Sequence, residues 1–293
     1  MRFLAKKIAS IVMLLGFTLN IAVASMDLNM TRGATKLSAE VYDLHMTIFY
    51  VCCVIAVVVF GVMFYAIIMH RKAAGAVAAH FHEHLGVEIL WTIIPFVKLV
   101  AMAIPATRVL KDMYNTEDSQ LTIEVIGHQW RWQYKYLDHD IEYFSSLSTS
   151  TDAINNLIPK DKNYLREVDN ALVLPTNTKI RFLFASEDVQ HAWWVPDLGF
   201  KRDAIPGFIN ENWAIINKTG TFRGQCAELC GVLHGFMPIV VIAKTPADFE
   251  KWVADKVAEQ KVAAAPAAAA PATAAPATAA PAQKPATPEN TTH

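Results

Sequence analysis

LHMTIFYVCCVIAVVVFGVMFYAIIM, from Leu44 to Met69, runs for 26 residues without an Asp, Glu, Lys or Arg. As an α-helix it is long enough to cross the roughly 30 Å apolar core of a bilayer. His70, Arg71 and Lys72 follow it directly. Toward the C-terminus, GVEILWTIIPFVKLVAMAIPAT, from Gly86 to Thr107, is nearly as apolar. It carries Glu88 near its start and Lys98 near its middle. The two stretches predict membrane helices at about 44–69 and 86–107, paired as a hairpin. Cys52 and Cys53 lie inside the first, where a thiol packs as a small apolar group. Lys98 is costly at such depth and is expected to face another subunit rather than lipid.

Toward the N-terminus, Arg2, Lys6 and Lys7 precede an apolar run that ends in Ala22-Val23-Ala24 before Ser25. This is the layout of a secretory signal, predicted to occupy residues 1–24, with an uncleaved anchor as the alternative. No Cys follows the small residues, so a lipoprotein anchor is not expected. The basic start and Arg71-Lys72 both belong on the inner side. Everything beyond about residue 110 then lies outside the cytoplasmic membrane, and cleavage leaves a hairpin over 25–111 in the same orientation. Hydrophobic residues make up 53% of the 293, and the formal net charge is −1. The balance excludes a global basic signal for nucleic acid.

From Leu121 the pattern changes. LTIEVIG, QWRWQYKY, NALVLP, TKIRFLFAS, FINENWAII and MPIVVIA are short, rich in β-branched and aromatic residues, and separated by turn formers. They predict a β-sandwich or barrel over residues 112–260. The fold class is therefore mainly β with membrane helices. Ser145 to Asp169 is polar and reads as an insertion or long loop. Thr245 as N-cap and Pro246 in the first turn predict a short helix to about Gln260. Residues 261–293 are almost pure Ala, Pro and Thr and predict a disordered tail. No C-x-x-C-H occurs, so covalent c-type haem is not expected.

The chemistry concentrates in GQCAELCGVLHGFMP, Gly224 to Pro238. Cys226, Cys230, His234 and Met237 all bear soft-metal donors. Two cysteines outside the cytoplasm form a disulfide by default, but a disulfide leaves the other donors unexplained. Zinc could use two Cys and two His, yet it has no need of a thioether. Thiolate, imidazole and methionine together point to copper electron transfer. Two thiolates can bridge two coppers, which spreads one electron over both. SEDVQHAWWVPDLG supplies a second imidazole in His191, 35 residues before Cys226.

C-x-E-x-C-x-x-x-H-x-x-M, from Cys226 to Met237, closely resembles the dinuclear copper (Cu-A) loop of cytochrome c oxidase subunit II. The resemblance extends through GHQW (127–130), SEDVQHAW around His191, KRDAIPG (201–207) and VEILWTIIP (87–95). It covers about residues 40 to 255. It implies a cupredoxin-like Greek-key sandwich on a two-helix anchor, multi-pass in a bacterial inner membrane with the copper domain in the periplasm.

The resemblance also implies roles. His191, Cys226, Cys230, His234 and Met237 would bind the copper pair, with the Glu228 backbone carbonyl beside them. The Glu228 carboxylate would help hold magnesium shared with oxidase subunit I, as a hard cation prefers carboxylate oxygen. Trp130 would be where electrons enter, and Glu88 would stand at the mouth of a proton pathway. Asp138, Asp140, Glu142 and Asp188 would dock the donor, a cytochrome c. Lys135 and Arg131 depart from the family pattern and weaken that acidic patch. Electrons would pass to haem in subunit I, where oxygen is reduced to water and protons are pumped. A quinol oxidase subunit II would lack the copper ligands, and nitrous oxide reductase is much longer and has no such hairpin. A structural or assembly subunit holding a disulfide or zinc is the alternative from a different class.

Overall fold

The computed structural model describes residues 29–264. The expected signal segment, and the tail beyond Ala264, lie outside the described residues. Two long helices, α1 (Lys36–Met69) and α2 (Leu85–Met113), are each long and apolar enough to cross a membrane. A single 3-10 turn, Lys72–Ala74, lies in the segment between them.

Both helices exceed the apolar runs that reveal them. α1 begins at Lys36 rather than 44, and α2 ends at Met113, past the expected boundary at 111. Hydropathy marks only the lipid-facing part. The extra turns of α1 carry Lys36, Glu40 and Asp43 and start from a capping box. There the Thr35 side chain accepts the Ser38 N–H at 2.9 Å while the Ser38 hydroxyl accepts the Thr35 N–H at 3.0 Å.

Ten strands follow. They are β1 (Leu121–His128), β2 (Arg131–Tyr136), β3 (Ile141–Ser145), β4 (Leu172–Pro175), β5 (Lys179–Ser186), β6 (His191–Val195), β7 (Phe200–Ala204), β8 (Asn210–Ile215), β9 (Gly220–Cys226) and β10 (Pro238–Lys244). They form two five-stranded sheets, in the orders β3-β2-β1-β5-β8 and β4-β10-β9-β6-β7. The β1–β5 and β4–β10 pairs are parallel and the rest antiparallel.

Alternation along β5 explains how the sheets close on each other. Ile180, Phe182, Phe184 and Ser186 point inward and the residues between them do not. Phe182 and Phe200 flank Trp193 with ring centroids 5.7 and 5.8 Å away. These aromatic rings fill the centre of the sandwich. The 145–169 insertion holds a single short helix, α3 (Thr151–Ile154). The last helix, α4 (Pro246–Ala264), runs beyond the expected residue 260. It lays Phe249 and Trp252 against Tyr136, and the Thr245 hydroxyl accepts the Asp248 N–H at 3.2 Å.

The hairpin is fastened to the sandwich at two places. Ala34 and Leu37 are buried in its core. The Ala34 N–H donates to Asp197 O at 2.7 Å, and the Asn217 N–H donates to Ala34 O at 2.8 Å. At the end of α2, Trp213 Nε1 donates to Asp112 O at 2.7 Å. The Arg202 guanidinium lies 4.8 Å from the Tyr114 ring centroid.

Candidate metal centre

The site is assembled by a strand start, a strand end and a tight loop. β6 begins at His191 and β9 ends at Cys226, and the two strands pair antiparallel with Trp193 opposite Cys226. Beyond Cys226 the chain loops out and returns as β10 beside β9, with Pro238 opposite Gln225. The Cys226 N–H closes this loop on Met237 O at 3.1 Å, and the Ala227 N–H ties it to Ala192 O at 2.9 Å. Residues distant in sequence therefore converge at one end of the sandwich.

His191 Nδ1 lies 3.9 Å from Cys226 Sγ, and Cys226 Sγ lies 3.9 Å from Cys230 Sγ. Cys230 Sγ lies 3.6 Å from His234 Nδ1, and the Glu228 carbonyl lies 3.4 Å from Cys226 Sγ. The donor atoms of His191, Cys226 and Cys230 all fall within 4.8 Å of one another. His191, Cys226, Cys230 and Met237 are buried, while His234 and Glu228 are half-buried. Both thiols are free, and their separation is well beyond the ~2.05 Å of a disulfide.

The groups around the ligands fix them. Asp188 Oδ1 lies 2.9 Å from His191 Nε2, which leaves Nδ1 to face Cys226. Asp188 also accepts the N–H groups of Gln129 at 2.7 Å and Val189 at 2.6 Å. Burial opposes ionisation of Asp188, but these bonds, that of His191 foremost, prevail and hold its carboxyl below the ordinary value. Burial likewise works against charging His191, yet Cys226 and Asp188 outweigh it and raise its pKa. Burial would lift the Cys226 thiol, but His191 and nearby backbone groups bring it down to about 7. Burial and the neighbouring Cys226 push Cys230 up to about 12. The two thiols thus differ, Cys226 ionising the more easily of the pair.

Gly127, Gln129 and Trp132 matter more here than their sequence suggests. Gly127 passes so close to His191 that a Cβ would lie 2.6 Å from its Cδ2. Trp132, fully buried in β2, sets its ring edge-on to His191 at 5.9 Å. Gln129 Nε2 and Trp130 Nε1 both donate to the Cys230 carbonyl, at 2.9 and 3.2 Å. The motif GHQW drew attention to this segment, but no sequence signal gave the direction of these contacts.

The four acids expected to dock a donor do not form one patch. Asp188, though exposed, is bonded to His191 and to two backbone N–H groups. Asp138 accepts the Thr122 N–H at 2.7 Å, and Asp140 takes φ +53° in the β2–β3 turn. The register opposes Tyr136 to Ile141, so that turn lies at the far end of β2 from Trp130. At about 3.3 Å per residue the gap is roughly 16 Å. Asp138 and Asp140 therefore do not share a rim with Trp130. Glu142 lies opposite Lys135 and accepts the Gln133 side-chain amide. In the hairpin, Glu88 Oε1 accepts the His84 N–H at 3.1 Å at the start of α2. Lys98 is partly covered.

Two family models match this chain. The one described as cytochrome C oxidase subunit II, transmembrane domain, matches residues 23–109. The one described as cytochrome C oxidase subunit II, periplasmic domain, matches residues 121–244. Together they span well over half of the chain. The chain belongs to the cytochrome c oxidase subunit II family. Among its subunit II relatives, a probable cytochrome c oxidase subunit 2 of Rickettsia bellii (strain RML369-C) is 40% identical over 223 residues, covering 76% of this chain and 81% of the relative. Subunit 2 of Cyanidium caldarium is 33% identical over 246 residues, covering 82% and 95%. The crystal structure of the periplasmic domain of subunit II of Bradyrhizobium japonicum is 39% identical, covers 49% of this chain and 98% of that domain, and has a TM-score of 0.44. As a subunit II, this chain is a component of an oxidoreductase complex. It is a membrane protein with a periplasmic domain.

Proposed function

We propose that this chain takes electrons from a cytochrome at a dinuclear copper centre and delivers them to haem in oxidase subunit I. The observation that carries this reading is the donor set. Two free thiols 3.9 Å apart sit between two imidazoles, with a buried thioether in the same loop. Sulfur and imidazole donors of this kind fit copper. A zinc site would leave Met237 without a purpose, and a disulfide would leave Met237 and both imidazoles without one. His191, Cys226, Cys230, His234 and Met237 would hold the copper pair, with the Glu228 carbonyl beside it. Two coppers held there would supply one-electron redox chemistry shared between both metals.

The protein's part is positioning. β6, β9 and β10 carry all five side-chain ligands at their ends or in the loop that β9 and β10 close, so the ligands shift little when charge changes. Burial keeps water from the thiolates. Trp130 is half-buried and its indole N–H reaches the Cys230 carbonyl, so an indole edge and one peptide lead to a ligand. On the same reading, the Glu228 carboxylate contributes to a magnesium site shared with subunit I, and Glu88 opens a proton pathway at the inner membrane edge. Oxygen reduction and proton pumping belong to the whole complex, in a bacterial inner membrane.

Full-length protein in detergent, reduced and loaded with copper, tests this. Two coppers per chain and an EPR spectrum of one electron shared over both nuclei are expected. One copper, zinc alone, or a Cys226–Cys230 disulfide that re-forms after reduction and reloading would remove the electron-transfer reading.

A further inference from the structure

The ligand loop is held unevenly. Its first half is tied from several sides. The Cys226 N–H donates to Met237 O, the Ala227 N–H donates to Ala192 O, and Gln129 and Trp130 both donate to the Cys230 carbonyl. The second half, residues 232–236, is tied mostly to the loop itself. The His234 N–H donates to Gly231 O at 3.2 Å and the Phe236 N–H to Leu233 O at 2.9 Å. Such bonds move with the loop. Val232 and Leu233 are exposed, so their side chains do little to anchor it.

Among the described residues, one hydrogen bond reaches this half from outside the loop. Gln225 Nε2 donates to Gly235 O at 3.0 Å. Gly235 is the middle residue of a single 3-10 turn, His234–Phe236, which Met237 ends. Holding its carbonyl fixes the turn that presents the second imidazole and leads into the thioether. His234 needs that support more than His191 does. His191 is fully buried and Asp188 bonds its far nitrogen. His234 is half-buried, and among the described residues no carboxylate bonds it.

Gln225 is itself set in place. It stands on β9 directly opposite Trp194 of β6. Residues opposed in this way put their side chains on the same face, with Cβ atoms about 5 Å apart. Trp194 is the exposed residue of an otherwise buried strand. Its indole therefore covers the outer face beside the Gln225 amide and limits the water that can compete for the bond.

We propose that Gln225 is a positioning residue for His234, and that its one hydrogen bond decides how firmly the second imidazole is kept on the metal. The proposal rests on the reading of this loop as a copper centre.

The test uses full-length protein in detergent. Gln225→Glu keeps the shape but replaces the donor with a carboxylate, which only accepts. Gln225→Leu keeps bulk without a donor, and Gln225→Lys supplies one again. Competition with a chelator should show copper affinity reduced about 10- to 100-fold in the Glu and Leu variants and restored to within about threefold in the Lys variant. The copper hyperfine pattern by EPR should change in the first two, with an unchanged far-UV spectrum. In metal-free protein, alkylation of Cys230, located by mass spectrometry, should be at least about threefold faster in those two, because the turn opens more often. Unchanged affinity, hyperfine pattern and alkylation in both the Glu and the Leu variants overturn the proposal. So does a Lys variant as weak as the Leu variant, since the hydrogen bond then plays no part. A wild-type chain that binds no copper defeats the functional reading instead. The alkylation rates need no metal and still show whether Gln225 holds the turn.

Discussion

At His191 the balance is set by the space of a single methyl group. Asp188 fixes one ring nitrogen, the Trp132 edge lies against the ring, and Gly127 backs it. In Gly127→Ala the new Cβ would also lie 2.9 Å from Cγ, so the imidazole has to turn. The expected result is a reduced copper-to-protein ratio with an unchanged far-UV spectrum. Asp188→Asn should leave the fold intact and weaken copper binding by about 10- to 100-fold, as for other groups that orient metal-bound histidines. Competition with a chelator measures this, and unchanged affinity would mean that the carboxylate does not orient the ring. The ligand types were legible because they crowd into twelve residues, Cys226 to Met237. The bond from Asp188 to His191 was not. A carboxylate three residues before a histidine reads only as surface charge until the fold shows that it also reaches the imidazole.

Helix and strand boundaries depend on context that a window of sequence does not contain. α1 starts eight residues before its apolar run because the Thr35–Ser38 box and the surface of the sandwich hold its first turn. Thr35→Ala should cost about 1 kcal/mol of stability, read as a fall in unfolding temperature, and Thr35→Ser should restore most of it. β9 passes β6 so closely that a Cβ on Gly224 would lie 2.0 Å from the Trp194 carbonyl. Gly224→Ala should therefore part the two strands that carry His191 and Cys226, lowering both thermal stability and metal content. The alternation of β1 and β5 announced those strands. β6 did not announce itself, because HAWWV is buried at every position except Trp194 and has no period of two. β9, GTFRGQC, contains two glycines and little apolar surface, and so reads as a turn. β3 and β7 are short and mix charged with aromatic residues.

Across the whole molecule, the hairpin leaves nearly all its apolar side chains uncovered, which suits lipid and a partner subunit. Lys98 makes no ion pair among the described residues and is only partly covered, so a partner must satisfy it. Lys98→Leu should insert normally yet recover less subunit I on copurification; equal recovery would place the lysine toward water or lipid headgroups. The two fastenings of the sandwich, at Ala34–Leu37 and at Asp112–Tyr114, act together. A weight hung from one cord swings, while the same weight hung from two can only rock about the line between them. The outer domain is held in the second way, so its height above the bilayer and its heading are fixed before any other subunit arrives. A protease cut in the 115–120 linker would sever the chain yet leave both cords tied, because each is made of noncovalent contacts outside the linker.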